Sequence, residues 1–417
     1  MKTNFGNRNQ ERASVLAVGL VIGIILCIAL ISYLSLVHQQ NLTVARAQAW
    51  NEALALAEAG VEESLAQLNP GALVTNILQN NGWSVSDGFY RPGTAKRDLG
   101  SGYFFASYTP TPPPVIYSTG YATIPAMNMT VQRTVEVKTT NASLFSVGMV
   151  AREDIRFNGN GLTTDSYDSA DPAHSDNGMY DSGEKLHNGD VASIYGKVDL
   201  GNHTIDGSLY LGASATWDNS GTITGSKITD YNLEFPDVNP PFDPGSAQTP
   251  QAGNGKNNQH QYIIGQGNYY LPSVSVANGK DIYVTSPEAV LYVGGNFDSQ
   301  NGAITLAPGA KLMLYVGGAT TKLGSVNNTN TAKSFQYYGL SSNTSITMSG
   351  NSMFVGTIYA PNADFTGNGS GNNILDIQGG MIVQSVTMNG NFAFHFDEDL
   401  RRGIPPRGYV AISWREL

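Results

Sequence analysis

The side chains best placed to do chemistry fall in two acidic runs. The first holds Asp165, Asp168, Asp171, His174, Asp176 and Asp181. Carboxylates at such short intervals supply the hard oxygen ligands that Ca²⁺ takes. The run lacks the D-x-[DN]-x-[DN]-G pattern and the closing glutamate of a calcium loop. Aspartates so spaced also make Asx-turns in solvated loops, which is the reading we adopt. The second run is His395, Asp397, Glu398 and Asp399. Carboxylates beside an imidazole suit general acid–base work. This run stands just before Arg401-Arg402, at the end of a repeating region. A polar cap with local Asp–Arg pairing is expected there. Tyr262, Tyr269, Tyr270, Tyr337 and Tyr338 offer aromatic faces on which sugars can stack, although tyrosine is common on any β surface. No G-x-S-x-G, H-E-x-x-H, P-loop or C-x-x-C occurs. No residue is therefore assigned a catalytic, cofactor-binding or metal-binding role, no cofactor is expected, and the chain reads as a protein that is not an enzyme.

The elements that carry these runs lie in residues 143–400, where glycine and asparagine punctuate short apolar bursts. LYVGG occurs at Leu291–Gly295 and again at Leu314–Gly318, offset by 23. SITMSGN at Ser345–Asn351 returns as SVTMNGN at Ser385–Asn391, offset by 40, or two units of 20. Ile205 and Ile223 stand in TIDG and TITG, offset by 18, and residues 154–160 share the burst-then-Gly-Asn shape. A period near 20 suits one coil of a parallel β-helix, whose coils bury their apolar sides only by stacking. A β-sandwich with irregular turns is the alternative. Residues 236–261 open with prolines and continue as a polar Gly-Asn tract, which reads as a surface loop insertion.

Upstream, residues 13–69 read as one long helix. Ala13–Val37 carries no charge over 25 residues, and about 20 suffice to span a bilayer. Trp50, Leu54, Ala57, Val61, Leu65 and Leu68 follow at helical spacing and form an amphipathic stripe, ended by Pro70. Lys2, Arg8 and Arg12 against a single Glu11 place residues 1–12 in the cytoplasm as a short leader. Everything after His38 then lies outside. Residues 71–142 read as a small α+β unit, with strands at 102–108, 115–122 and 131–138 covered by the helix stripe. Residues 401–417 form a C-terminal tail whose end, Tyr409–Trp414, has a strand pattern.

Composition agrees with an extracellular β protein. Only 13% of residues are charged while glycine numbers 47, so turns and short strands dominate. The net charge of −10 with scattered basic residues argues against nucleic acid. The only cysteine, Cys27, sits inside the apolar run, so the exported part forms no disulfide.

The stretch from Gln10 to Leu68, with its charged leader, apolar helix and Ala57-Glu58-Ala59-Gly60 continuation, resembles the N-terminal region of PilX-type minor pilins and pseudopilins. Ala13 stands where such leaders usually place Gly, and Val18 where pilins carry Glu. Residues 145–400 resemble the β-helical ectodomains found behind such N-termini, through DSYDS at Asp165–Ser169, GTIYAPNADF at Gly356–Phe365, GGMIVQSVTMNGN at Gly379–Asn391 and HFDEDL at His395–Leu400. The fold implied is mainly β: a transmembrane and amphipathic helix, a pilin-like α+β unit, then a right-handed parallel β-helix. The function implied is that of a surface-exposed structural protein of a type IV pilus-like or type II secretion-like assembly, or of adhesion. It would be single-pass in a bacterial inner membrane, with the C-terminal part periplasmic or on the cell surface. Its partners would be the bilayer through residues 13–37 and other pilin-like subunits through the helix. The second reading is a tethered β-helix that binds or cleaves extracellular polysaccharide. A cleft with convergent carboxylates and a Lys or Arg would favour it.

Overall fold

A helix, Asn7–Leu68, opens the described residues, and the described residues after it are built mainly from strands. The computed structural model describes residues 7–69, 83–94, 96–111, 113–124, 127, 129–159, 163–231, 233, 235–253, 259–350, 352–369, 374–402 and 406–417. Leader residues 1–6, Pro70, residues 71–82 of the expected α+β unit and the polar tract 254–258 lie outside them. The helix contains a stretch, Ala17–Leu68, long and apolar enough to cross a membrane, with a mean hydropathy of 2.8 in its most apolar window. From Val18 to Leu36 its large apolar side chains are exposed. The chain divides into two units, Met1–Thr140 with Gly408–Leu417, and Asn141–Arg407.

In the first unit the helix covers a sheet of seven strands. Their order is Trp83–Ser86, Phe89–Pro92, Gly102–Tyr108, Val115–Ile124, Met129–Ser143 and Pro406–Glu416, with Arg97–Leu99 paired beside Gly102–Tyr108. Alternation sends Phe104, Ala106, Ile116, Ala122, Val135 and Val137 to the helix side, where all are buried. The buried face of the helix keeps Ala57 and Val61 of the expected stripe, with Leu54, Leu65 and Leu68 packed half-buried beside them, but it leaves out Trp50. It runs through Ala49, Ala53, Leu56, Ala57 and Val61, while Trp50 remains 49% exposed beneath the Arg133 guanidinium, 4.8 Å from its ring. Close approach explains the shift. A Cβ on Gly120 would run into the Ala53 carbonyl oxygen and the Ala57 nitrogen, and one on Gly60 into the Ser118 side chain. Only small residues let the two backbones meet this closely, so the seam follows alanine and glycine and excludes the indole. Gly120→Ala should accordingly destabilise this unit by about 2 kcal/mol through overpacking. A urea melt indistinguishable from wild type would contradict the close seam.

Among the described residues the second unit is one sheet of 26 strands, joined mostly by parallel pairs. Over most of it, each short strand pairs with the strand three places on in the chain, which divides the ladder into three columns. The repeats noted above stand in register. Leu291 lies beside Leu314, Ile205 beside Ile223, and Ile346 beside Phe365, which lies beside Val386. Their side chains are inward and buried, Ile223 only partly, and an extended apolar core runs from Met149 and Ile155 through Val386, Phe365 and Leu314 to Ile282.

The order of strands along the columns does not follow the chain. Strand Met149–Ala151 pairs with Val191–Ser193 on one side and with the 381–383 part of Leu375–Asn389 on the other. Ile155–Asn158 and Thr163–Tyr167 likewise meet the late strands Leu375–Asn389 and Phe392–Asp397. The chain therefore enters mid-ladder, builds outward to Lys227–Thr229, crosses to Gln251–Ala252 and His260–Ile264, and builds back until its last two strands meet its first three.

The crossing segment is no free excursion. Phe235 and Val238 are buried. Tyr359 Oη donates to the Pro236 carbonyl at 2.7 Å, Asn362 Nδ2 donates to Asp237 Oδ1 at 2.6 Å, and Phe242 meets Tyr292 edge-on at 6.0 Å. These contacts lie on a column of tyrosines in register: Tyr270, Tyr292, Tyr315, Tyr338 and Tyr359.

Candidate functional site

Strand Phe392–Asp397 carries His395 and Asp397 of the second acidic run, with Glu398 and Asp399 in the 3₁₀ turn that follows, and the strand is not a terminal cap. It is paired on both sides, by Leu375–Asn389 and by Thr163–Tyr167. Local Asp–Arg pairing is present nonetheless, with Arg402 Nε donating to Asp399 Oδ1 at 2.9 Å, and Lys333 lies 2.7 Å from the same carboxylate. Arg401 reaches Asp190 at 3.0 Å. Alternation along the strand turns Phe392, Phe394 and Phe396 into the core and His395 and Asp397 to the opposite face.

That outer face is where the two acidic runs meet. Register sets His395 between Gln378 and Asp165. His395 Nδ1 donates to Asp165 Oδ1 and its ring stacks on Tyr180, with centroids 3.5 Å apart. Tyr180 Oη donates to Asp165 Oδ2 at 2.9 Å, and Lys185 Nζ stands 3.6 Å from the same oxygen. Lys185 also reaches Asp206 at 3.3 Å, and His187 Nδ1 donates to Asp206 at 2.8 Å. On its other side His395 Nε2 lies 3.6 Å from Asp376 Oδ1. Asp165 is only 4% exposed, so its charge is held by donors and not by water.

The rest of the first run behaves as loop aspartates do. Asp168 Oδ1 accepts from Ala170 N, Asp171 Oδ1 from Ala173 N and Asp181 Oδ1 from Gly183 N. These are Asx-turns that shape the segment lying over His395 and Asp397. Asp176 accepts from Asn177, and His174 Nδ1 faces the Glu184 carbonyl at 3.3 Å. Among the described residues no group of three His, Cys, Asp or Glu is set to hold a metal ion.

Burial and environment separate the titrating groups. Burial, with the hydrogen bond to Asp165, pushes the Tyr180 phenol well up, so it stays protonated and donates. Burial would also raise Asp206, but hydrogen bonds from His187, Thr224 and Lys185 outweigh it and hold that carboxyl low. Asp397 is pushed up to about 6, chiefly by burial, against the bonds it accepts from the Ser169 and Asp399 amides.

A cavity of about 590 Å³ opens beside this cluster, lined by Asp165, Tyr180, Lys185 and His395 and by the exposed Ile374. The tyrosines expected to stack on sugars do not face it. Tyr269 and Tyr338 are buried, Tyr262 and Tyr270 are half-buried, and Tyr337 points into the core, where it bonds Thr321 and Asn343.

Sequence reading kept Asp165 and His395 apart because 230 residues separate them. A signal for their meeting exists: the shared shape of 154–160 and 385–391 reflects the register of Ile155–Asn158 on Val386–Asn389.

The family model described as "Domain of unknown function (DUF7305)" matches residues 243–403, less than half of the chain. No curated protein matches. Among solved structures, the competence-associated pilin ComZ from Thermus thermophilus is similar at 11% identity and a TM-score of 0.34, over 88% of this chain and 97% of that one. A superposition of that quality carries no weight for fold or role.

Proposed function

We propose that this chain is a pilin-like structural protein, tethered in a bacterial inner membrane through residues 13–37, with a cytoplasmic N-terminus and the remainder periplasmic or at the cell surface. Its helix joins other pilin-like subunits of a type IV pilus-like or type II secretion-like assembly, and its large unit, read as a right-handed parallel β-helix, is displayed for structural or adhesive work and not for catalysis. The observation that carries this reading is the division of labour along one helix. Its second half is the packed spine of an antiparallel sheet, while Val18–Leu36 leaves a continuous apolar surface uncovered. A bilayer or neighbouring helices would cover such a surface.

Gly19 and Gly23, spaced four apart with open space at both Cβ positions, suit close helix association. The test is a double variant, Gly19→Leu with Gly23→Leu, crosslinked in native membranes. We expect the full chain to stay in the membrane through a carbonate wash in both forms. Crosslinks to pilin-like partners should be lost in the variant. Release by carbonate would refute the anchor, and unchanged crosslinks would refute this interface.

A further inference from the structure

We infer that the cavity beside His395 binds a neutral mono- or disaccharide. The inference stands on the second unit alone and does not depend on how the helix is used.

The volume, about 590 Å³, falls within the range of small-molecule sites, about 300–1,000 Å³. Its walls are of two kinds. Asp165, Lys185, Thr163 and Ser182 bring acceptors and donors together on the polar side, while Ile374 gives an apolar side. A pyranose is matched to both, because its hydroxyls donate and accept while its C–H face is apolar. Ile374 is 52% exposed, a large apolar side chain left at the cavity.

The charges at the site argue against an ionic ligand. Asp165 already receives His395, Tyr180 and Lys185, and Lys185 is shared with Asp206. An anion brought to Lys185 would meet Asp165 and Asp206, with Asp376 behind His395. A cation would have to compete with Lys185 for the same oxygens. A neutral polyol adds hydrogen bonds without opening either pair. The cluster is also pre-organised. Asp165 is buried and the imidazole is fixed by one hydrogen bond and one stacked ring, so little is ordered on binding.

The test uses the full chain purified in a sugar-free zwitterionic detergent, with saturation-transfer NMR. Maltose, cellobiose and diacetylchitobiose are the neutral probes; digalacturonate and spermidine are the charged ones. At least one neutral disaccharide should receive saturation, with a dissociation constant on the order of 1 mM. Ser182→Trp fills the cavity from an exposed position, removes no buried pair and should abolish the transfer without changing the melting curve. Asp165→Asn should weaken binding about tenfold or more. Should that variant fail to fold, Ser182→Trp decides alone. Transfer to no neutral probe, transfer that survives Ser182→Trp, or tighter binding of digalacturonate or spermidine would each overturn the inference.

Discussion

Val386→Asp should destabilise the Asn141–Arg407 unit by about 4 kcal/mol or more, enough to abolish its cooperative unfolding transition under ordinary conditions. Val386 is fully buried, with Phe365 on one neighbouring strand and Ile155 on the other. An aspartate there has no partner within the core and must either carry an unpaired charge or take up a proton. Ile346→Asp should behave alike, because Ile346 is inward in the same column and equally buried. The control is Thr387→Asp, one residue along the strand and opposite Arg156, which should change stability by no more than about 0.5 kcal/mol. Thermal and urea melts of the full chain, followed by circular dichroism, read all three. If Val386→Asp proved as mild as Thr387→Asp, the inward assignment of this column would be wrong.

Asp397 gives the second large effect, in pH and not in side-chain volume. Its carboxyl titrates at about 6 in the folded chain against 3.8 ordinarily, mainly because it is buried. Between those values the folded state holds a proton that the unfolded state has lost. Stability from this group is therefore fully present below the unfolded value and is lost as pH rises through about 6, a change of about 3 kcal/mol. Asp397→Asn keeps an acceptor for the Ser169 and Asp399 amides but cannot ionise. The wild type should thus lose stability relative to Asp397→Asn between pH 4 and 7. Parallel curves of melting temperature against pH for the two proteins would show that Asp397 is not held in this state.

Much of the architecture is legible from periodicity. The pairs Leu291 with Leu314 and Ile205 with Ile223 locate ladder neighbours because parallel stacking puts like residues side by side, and Ser345 with Ser385, two units apart, flank Asp364 in one column. Strands at 102–108 and 115–124 alternate as a one-sided sheet must. Other features escape for physical reasons. The helix seam follows small residues because the backbones touch, whereas side-chain size favours Trp50 over Ala53. Segment 236–261 looks like a loop by composition, yet carbonyl and carboxylate acceptors at Pro236 and Asp237 tie its start to the ladder. The site at His395 depends on the register between the first and last strands of the unit, which only the shared shape of 154–160 and 385–391 announces.

That register has a kinetic consequence. The strands 149–167 find their partners on one side only after residues 375–397 exist. Zipping from the N-terminal end cannot complete this unit during synthesis, because its earliest strands wait for its latest. Folding must close a loop of more than two hundred residues, a topology of high contact order and slow closure. Until then the edge at Met149–Tyr167 stays open, a strand template exposed to aggregation. A chain interrupted before residue 375 would keep that edge, so it should be held or degraded rather than released as a smaller folded product.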